Sequence, residues 1–183
     1  AKGLNTSELI RYIIYRYKYN LYPILKKVGE YPPCVQIEPT SYCNFRCIMC
    51  YQIDKSFSSK SNGHLGMMKM STYKKIIDEL QNEVEAITLA SRGEPLLNPN
   101  IKEMIRYTGN KFLGFKINTN ASMLSEEMSH VLLQSKLNTL VFSVDAADKE
   151  TYEKIRVNGD FDKVTNNIKM FHEIREKHYK KSK

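Results

Sequence analysis

The chain has 183 residues, enough for one domain or most of one, and carries a formal net charge of +8 at pH 7. Hydrophobic residues make up 42% and charged residues 26%, as in a soluble globular protein, and no apolar run is long enough to span a bilayer. Basic residues interrupt the N-terminal segment, which argues against a secretory signal there, and the small number of cysteines favours a cytoplasmic, reducing location.

The positive charge by itself would suit a basic interaction domain for nucleic acid or for an anionic surface. The basic residues are spread along the predicted helices, however, apart from a lysine-rich tail over residues 177–183. Such a tail is typically a solvated chain end, so we do not expect a nucleic-acid partner.

The first predicted element is a helix over residues 7–20, with Ser7 as its cap. Tyrosine and basic side chains lie among apolar residues that recur at helical spacing, namely Leu9, Ile10, Ile13, Ile14 and Tyr17. The favoured interpretation is a helix packed across the end of a domain, and the alternative is a helix that contacts a membrane surface. We therefore divide the chain into an N-terminal helical extension over residues 1–32 and a core domain over residues 33–183.

Predicted strands and helices alternate after Pro32 and Pro33. The strands span residues 34–38, 86–90, 115–118 and 140–144, and the last of these is apolar enough to be buried on both faces. A long polar loop is predicted over residues 55–70. Helices are predicted over residues 149–155 and after the caps Ser71, Asn98, Ser125 and Asp160. This order predicts an α/β fold of about four parallel strand–helix units, as a barrel or an open sheet.

Polar motifs follow all four predicted strands at their carboxyl ends, where parallel α/β proteins bind ligands. The first of them, the cysteine motif, consists of Cys43, Cys47 and Cys50. The others are Ser91–Pro95 after strand two, Asn118–Asn120 after strand three, and Ser143 with Asp145 at strand four. Parallel strands would bring these motifs to one mouth, and this convergence is stronger evidence for a site than any single motif.

The cysteine motif admits three interpretations. Three small thiols on one helix face would simply be buried, but residues 44–46 do not form a convincing helix. A structural zinc site would take His64 from the following loop as its fourth ligand, whereas Cys34 is a poorer candidate because it lies within the preceding strand. The interpretation that we favour is a loop folded around a metal or a cluster.

The spacing Cys-x-x-x-Cys-x-x-Cys after the first strand of an α/β chain resembles that of the radical S-adenosylmethionine (SAM) enzymes. The resemblance implies that the cysteine motif holds three irons of a [4Fe–4S] cluster and that SAM binds the fourth. It further implies that a one-electron donor such as flavodoxin or ferredoxin reduces the cluster. SAM is then cleaved to a 5′-deoxyadenosyl radical, which abstracts hydrogen from a substrate such as a peptide or a sugar-like metabolite.

The resemblance extends to the second motif, where Ser91-Arg-Gly-Glu-Pro95 matches the family's Gly-Gly-Glu-Pro segment. This match implies that the backbone of Ser91 and Gly93 and the carboxylate of Glu94 receive the SAM amino group. Arg92 departs from the family pattern by replacing a glycine. The replacement is tolerable if the SAM contact uses the backbone; otherwise the side chain would crowd the site or reach a substrate anion.

Further site residues are implied by the same resemblance. Met49 stands where the family often has an aromatic residue against adenine, and Ala121 replaces the glycine that usually follows the third motif. Arg156 resembles the arginine that pairs with the SAM carboxylate, although an ordinary surface arginine is the alternative. The remaining implied contacts to SAM are Asn118, Thr119, Asn120, Ser143 and Asp145, of which Asp145 faces ribose or substrate.

Family barrels usually have six strand–helix units, so four units imply a partial TIM-like barrel and a core that is incomplete at its C-terminus. The resembled subgroup often carries a cysteine-rich SPASM or twitch-type extension, and no cysteine follows Cys50 here. The histidines show no catalytic arrangement, and no general base is predicted. Three hypotheses therefore stand: a radical SAM enzyme, a zinc module of the cysteine motif with His64, and a basic interaction domain.

Overall fold

The computed structural model describes residues 5–180 and contains a four-stranded sheet in which every strand runs parallel to its neighbours. The strands lie in the sheet in the order of the sequence. They are β1 (Cys34–Ile37), β2 (Ala86–Leu89), β3 (Gly114–Thr119) and β4 (Thr139–Phe142). The helices are α1 (Thr6–Ile24), α2 (Lys55–Ser58), α3 (Met70–Leu80), α4 (Ile101–Thr108), α5 (Glu126–Gln134), α6 (Lys149–Ile155) and α7 (Phe161–His178).

The strand register aligns the carboxyl ends of all four strands at one edge of the sheet. Ile37 pairs with Leu89, Leu89 pairs with Ile117, and Thr119 pairs with Phe142. This arrangement confirms the predicted α/β fold of four parallel strand–helix units. It also means that the four loops carrying the polar motifs leave the sheet at the same edge.

One connected cluster of buried apolar side chains joins the strands to the helices that follow them. In β3, Phe115, Ile117 and Thr119 are buried and the alternate residues are only partly buried, as the period of two in a strand requires. The helices contribute buried residues at the predicted spacing. They include Tyr73 and Ile77 of α3, Met104 and Ile105 of α4, Val131 and Leu132 of α5, and Val164 and Phe171 of α7.

Several predicted helix starts are displaced in the structure. Asn5 caps α1 instead of Ser7, because its side chain accepts a bond from Glu8 N while the Glu8 carboxylate accepts one from Asn5 N. Ser71 lies inside α3, and α4 begins at Ile101, after a short 3₁₀ turn over Pro95–Leu97. The predicted caps Ser125 and Asp160 are confirmed, since each accepts a backbone N–H of its helix.

Two other predictions about local structure were wrong. The segment over residues 55–70 is not wholly irregular, because it contains the short helix α2. Strand β4 is not buried on both faces: Thr139 is exposed and Leu140 to Phe142 are only partly buried. Within residues 5–180, β4 pairs with β3 alone, so its other edge lacks a strand to cover it.

Helix α1 is longer than predicted, since it continues through Pro23 to Ile24, and none of its residues is buried. Its apolar residues therefore do not insert into the core as a helix packed across the end of the domain would require. No helix in the described part of the chain is both long and apolar enough to cross a membrane.

We expect Ile87→Ala to lower the free energy of unfolding by about 2–5 kcal/mol, because Ile87 is fully buried in β2 and truncation leaves a cavity. The same change at Ile13 of α1, which is 58% exposed, serves as the matched control and should alter stability by less than about 0.5 kcal/mol. Chemical denaturation of both variants measures the difference. A comparable loss at both positions would contradict this assignment of core and surface.

Candidate functional site

A cavity of about 440 Å³ opens at the carboxyl edge of the sheet. Its volume is in the range of small-molecule sites, and its walls come from the loops after β1, β2, β3 and β4. Every site residue predicted from the sequence lines it: Cys43, Cys47, Met49, Cys50, Ser91, Gly93, Glu94, Asn118, Thr119, Asn120, Ser143, Asp145 and Arg156. Four other lining residues were not predicted, namely Gln36, Phe45, Tyr51 and Ala90. Arg92, noted above for its departure from the family pattern, completes the wall.

The cysteine motif lies in a loop without regular structure that is held against the core by the buried ring of Phe45. Cys47 is buried, and Cys43 and Cys50 are partly buried. The backbone on either side of Cys47 is paired with the end of α6: Arg46 N donates to Val157 O at 2.8 Å, and Ile48 N donates to Ile155 O at 3.0 Å. These two bonds determine which way the Cys47 side chain faces.

The three thiols lie close enough to influence one another. Burial raises the pKa of the Cys43 thiol, and the negative charges of Glu94, Cys47 and Cys50 add to the effect. Three soft sulfur ligands with a shared cavity suit a metal or an iron–sulfur cluster, and loading such a group would displace the thiol proton.

The structure does not bring His64 to the cysteine motif. The His64 ring stacks on Phe57 with 5.2 Å between ring centroids, and it lines a different cavity, beside Gly63 and Leu65. Cys34 is exposed at the first residue of β1, at the opposite end of the strand from the cavity. The predicted zinc alternative is therefore not supported.

Glu94 is a buried carboxylate at the base of the cavity. It accepts hydrogen bonds from Thr119 Oγ1 at 2.6 Å, Asn120 N at 2.7 Å and Leu96 N at 3.1 Å. Burial nevertheless raises the pKa of Glu94 above its usual range, because desolvation outweighs these bonds. A ligand that donates hydrogen bonds or carries positive charge would restore the ionised carboxylate.

The loop of Glu94 approaches the cysteine loop so closely that only glycine fits at position 93. A Cβ atom there would lie 2.0 Å from Thr40 O and 2.6 Å from Tyr42 O. Glu94 N donates to Tyr42 O at 2.9 Å across the same contact. Ser91, in the same loop, has a φ of 135°, a conformation that L-residues rarely adopt and that marks local strain.

Arg92 does not crowd the cavity, because its side chain is paired with Glu38. Its backbone N and its Nε both donate to Glu38 Oε2 at 2.9 Å, and its Nη2 donates to Glu38 Oε1 at 3.0 Å. The guanidinium also lies over the Phe57 ring, 5.3 Å from its centroid. The departure from glycine is thus accommodated, because the Arg92 side chain is held at the rim by a bidentate pair.

Gln52 is a positioning residue that the sequence analysis missed. It is fully buried, and its Nε2 donates to both Ser41 O and Arg92 O at 2.7 Å. One amide group therefore joins the cysteine loop to the loop after β2. Its position in sequence, two residues after Cys50, carries no pattern that distinguishes it from a surface glutamine.

The third motif presents one unsatisfied acceptor to the cavity. Asn118 Oδ1 is buried without a hydrogen-bond partner among the described residues, whereas Asn120 donates from Nδ2 to Asn44 Oδ1 at 3.0 Å. Ala121 has a φ of 60°, which explains physically why a glycine suits this position.

Arg156 lines the cavity, so the alternative prediction that it is an ordinary surface arginine is wrong. Its side chain is only 13% exposed; Nη1 donates to Cys47 Sγ at 3.4 Å and Nη2 forms an ion pair with Asp145. Its Nε is buried without a partner in the described structure. An unpaired donor here and an unpaired acceptor at Asn118 fit a ligand with both kinds of polar group. The cavity therefore suits a small ligand that carries both hydrogen-bond donors and acceptors, beside a group held by the three thiols.

Comparison with known proteins agrees with this geometry. The family model of the Radical SAM superfamily matches residues 37–178. The AdoMet-dependent heme synthase of Methanosarcina barkeri is 30% identical over 125 residues, which cover 68% of this chain and 34% of the relative. Mycofactocin maturase MftC of Mycobacterium tuberculosis is 29% identical over 131 residues, covering 72% and 32%. The chain thus spans about a third of the length of these relatives.

A solved structure shows the same fold. Streptococcus suis SuiB bound to S-adenosylmethionine superposes with a TM-score of 0.62 at 18% identity, covering 95% of this chain and 37% of SuiB. SuiB has also been solved bound to its precursor peptide SuiA, with a TM-score of 0.64. The likeness confirms the predicted partial barrel. The role of each individual site residue stays a prediction.

We expect Gly93→Ala to destabilise the protein by about 1–3 kcal/mol, because the new methyl group would overlap two backbone carbonyls that have no room to retreat. Gly66→Ala is the matched control, since a Cβ there meets no atom within 4 Å. Thermal unfolding of both variants measures the effect. If Gly93→Ala were as stable as the control, the two loops would not be in the close contact described.

Proposed function

Because the chain belongs to the radical SAM superfamily, whose members bind a [4Fe–4S] cluster and SAM, we propose that its cavity is the cofactor site of a radical SAM enzyme. The observation that carries the proposal is the shared cavity of the three thiols, the buried carboxylate of Glu94 and the two unpaired polar atoms. When bound, the cluster and SAM would supply an electron and a 5′-deoxyadenosyl radical that takes hydrogen from the substrate.

The cysteine motif would hold the cluster through three thiolates. Cys47 is the most constrained ligand, since the backbone on both sides of it is hydrogen-bonded to the end of α6. The Arg156 guanidinium donates to its sulfur and would offset part of the negative charge of a thiolate-ligated cluster. The pair between Arg156 and Asp145 orients the guanidinium for this task.

Glu94 and its neighbours would bind the amino-acid part of SAM. Glu94 would accept hydrogen bonds from the SAM amino group, while Thr119 Oγ1 and Asn120 N hold its carboxylate in place. Arg156 Nε, the unpaired donor, would face the SAM carboxylate, and Asn118 Oδ1 would accept from a SAM donor. Backbone groups of Ser91 and Gly93 would complete this end of the site, because Gln52 and Glu38 hold their loop.

Three further residues would contact the remainder of SAM. Met49 lines the cavity with 59% of its surface exposed, and its thioether is an adaptable apolar surface for adenine. Ser143 and Asp145, at the end of β4, lie on the cavity wall where ribose hydroxyls or substrate would meet them.

The substrate class that we propose is a peptide or a sugar-like metabolite. A peptide is compatible with the fold, since SuiB has been solved with a precursor peptide. We propose that a one-electron donor such as flavodoxin or ferredoxin reduces the cluster, and that the reaction takes place in the cytoplasm.

Anaerobic reconstitution with iron and sulfide tests the cofactor site. We expect the reduced protein to give a [4Fe–4S] EPR signal that changes when SAM is added, and each of Cys43→Ala, Cys47→Ala and Cys50→Ala to lose most of it. Cys34→Ala is the matched control and should retain the full signal, because Cys34 lies at the other end of β1. A colourless protein that holds one zinc, or equal losses in all four variants, would overturn the proposal.

SAM affinity should depend on pH through Glu94. Burial raises the pKa of this carboxyl in the SAM-free protein, and a donating amino group favours its ionised form. At a pH above the pKa of Glu94, SAM binding is unimpaired. Below it, SAM must displace the proton of Glu94, so the affinity for SAM should fall by up to about tenfold per pH unit. Dissociation constants of the reconstituted protein over a pH series measure this effect. The Glu94→Gln variant should bind SAM more weakly, and its SAM affinity should no longer vary with pH in this way. An unchanged pH profile in that variant would exclude Glu94 as the group responsible.

A further inference from the structure

Helix α1 presents its apolar side chains to solvent, and the side chains that it turns towards the domain are charged or tyrosine. The partly buried residues of the helix are Glu8, Arg11, Tyr15 and Tyr22, which recur at intervals of three, four and seven and therefore share one face. The opposite face carries a stripe of exposed residues, namely Leu9, Ile10, Ile13, Ile14, Tyr17, Leu21 and Ile24. This polarity is the reverse of that of a helix whose apolar stripe packs on its own core.

Exposed apolar side chains are concentrated in this part of the described chain. Of its eighteen large exposed hydrophobic residues, eleven lie between Leu9 and Val28. Ile24 is 73% exposed and Val28 is 96% exposed. A contiguous apolar patch of this kind marks a surface that is covered by something outside the domain.

The helix is attached to the domain at the end opposite to the cofactor cavity. Arg11 Nη2 pairs with Glu85 Oε2 at 2.7 Å, and Glu85 immediately precedes β2. The Tyr15 phenol lies near enough to Cys34, the first residue of β1, for the thiol to help raise the Tyr15 pKa, after burial as the larger cause. The apolar stripe is therefore at the amino edge of the sheet, and whatever covers it leaves the cavity mouth free.

Positive charge borders the apolar stripe. At 3.6 residues per turn, Arg16 lies on one side of the stripe and Lys18 on the other, and both are exposed. Lys26 and Lys27 follow directly after the helix. The acidic residue of α1, Glu8, is engaged in the capping box and lies on the inward face.

We propose that this face of α1, with Lys26 and Lys27, docks on the surface of a lipid bilayer that contains anionic lipids. An apolar stripe bordered by lysine and arginine is the arrangement of a helix that lies in the membrane interface, with its apolar side towards the acyl chains. Tyrosines at the border, Tyr12 and Tyr19, add rings that are favoured at the boundary between lipid and water. The basic residues match the negative headgroups, which neutral lipids do not offer.

The test is sedimentation of the 183-residue chain with vesicles of phosphatidylcholine alone and of phosphatidylcholine mixed with phosphatidylglycerol. We expect binding to the anionic vesicles that is at least tenfold tighter than to the neutral ones. Ile13→Ser/Ile24→Ser should weaken it by tenfold or more, because two apolar side chains no longer enter the bilayer. Ile13 and Ile24 are 58% and 73% exposed on the helix surface, so circular dichroism should show an unchanged fold.

A charge control separates docking by α1 from general attraction of a basic protein. Lys18→Glu/Lys27→Glu and Lys169→Glu/Lys177→Glu each change the net charge by the same amount, from +8 to +4 because each replacement removes two charges. We expect the first pair to weaken vesicle binding by tenfold or more and the second, on α7, to have a much smaller effect. Equal losses in both pairs would overturn the proposal.

A second copy of the chain is the competing occupant of the same face. If α1 mediates dimerisation instead, the chain should show no preference for anionic vesicles. Analytical ultracentrifugation should then detect a concentration-dependent dimer, and Ile13→Ser/Ile24→Ser should abolish that dimer. That result would also overturn membrane docking. Membrane docking and dimerisation are both independent of the cofactor site, because α1 contributes no residue to the cofactor cavity. Vesicle binding can be measured on the chain with or without its cluster.

Discussion

The close approach of two backbone segments, at Gly93 and at Thr40 to Tyr42, holds the candidate site together. The absence of a side chain at Gly93 lets Glu94 N reach Tyr42 O, and Gln52 adds a second bridge between the same loops. The cysteine motif belongs to one of these loops and Glu94 to the other. The separation between the thiols and the buried carboxylate is therefore determined by backbone contacts, which are stiffer than contacts between long side chains.

The site retains polar groups that the protein itself does not fully satisfy. Glu94 is a buried carboxylate whose desolvation is not fully offset by its three hydrogen bonds, and Asn118 Oδ1 and Arg156 Nε have no partner within the described residues. Each such group costs stability in the cofactor-free protein. Groups of this kind persist in proteins where a ligand satisfies them, and all three line the same cavity. The cost is thus offset when a ligand with complementary groups binds.

The parallel sheet separates two surfaces with different chemistry. Its carboxyl edge carries the polar, thiol-lined cavity, and its amino edge carries α1 with its outward apolar stripe and basic border. Because the loops at the two edges share no residues, either surface can be altered without touching the other. A protein that docks through α1 would keep its cavity open to solutes.

Local patterns made much of the fold and of the cavity lining predictable. Alternating strand and helix periods imply a parallel sheet, and a parallel sheet necessarily brings the residues after each strand to one edge, which is why Cys43, Glu94 and Asn118 could be assigned to one site. Helix starts were predicted less well, because a cap such as Asn5 depends on one or two local hydrogen bonds that several nearby residues could make.

The sequence by itself thus determined the fold class, the cysteine motif and the loops that carry the site, because periodicity and spacing along the chain are local properties. Only the tertiary structure decided that Arg92 pairs with Glu38, that Gln52 joins two loops and that His64 lies apart from the cysteines. It also decided that the apolar stripe of α1 faces outward, since an amphipathic pattern specifies two faces but not which of them meets the domain. These contacts join residues far apart in the chain, and no local pattern encodes them.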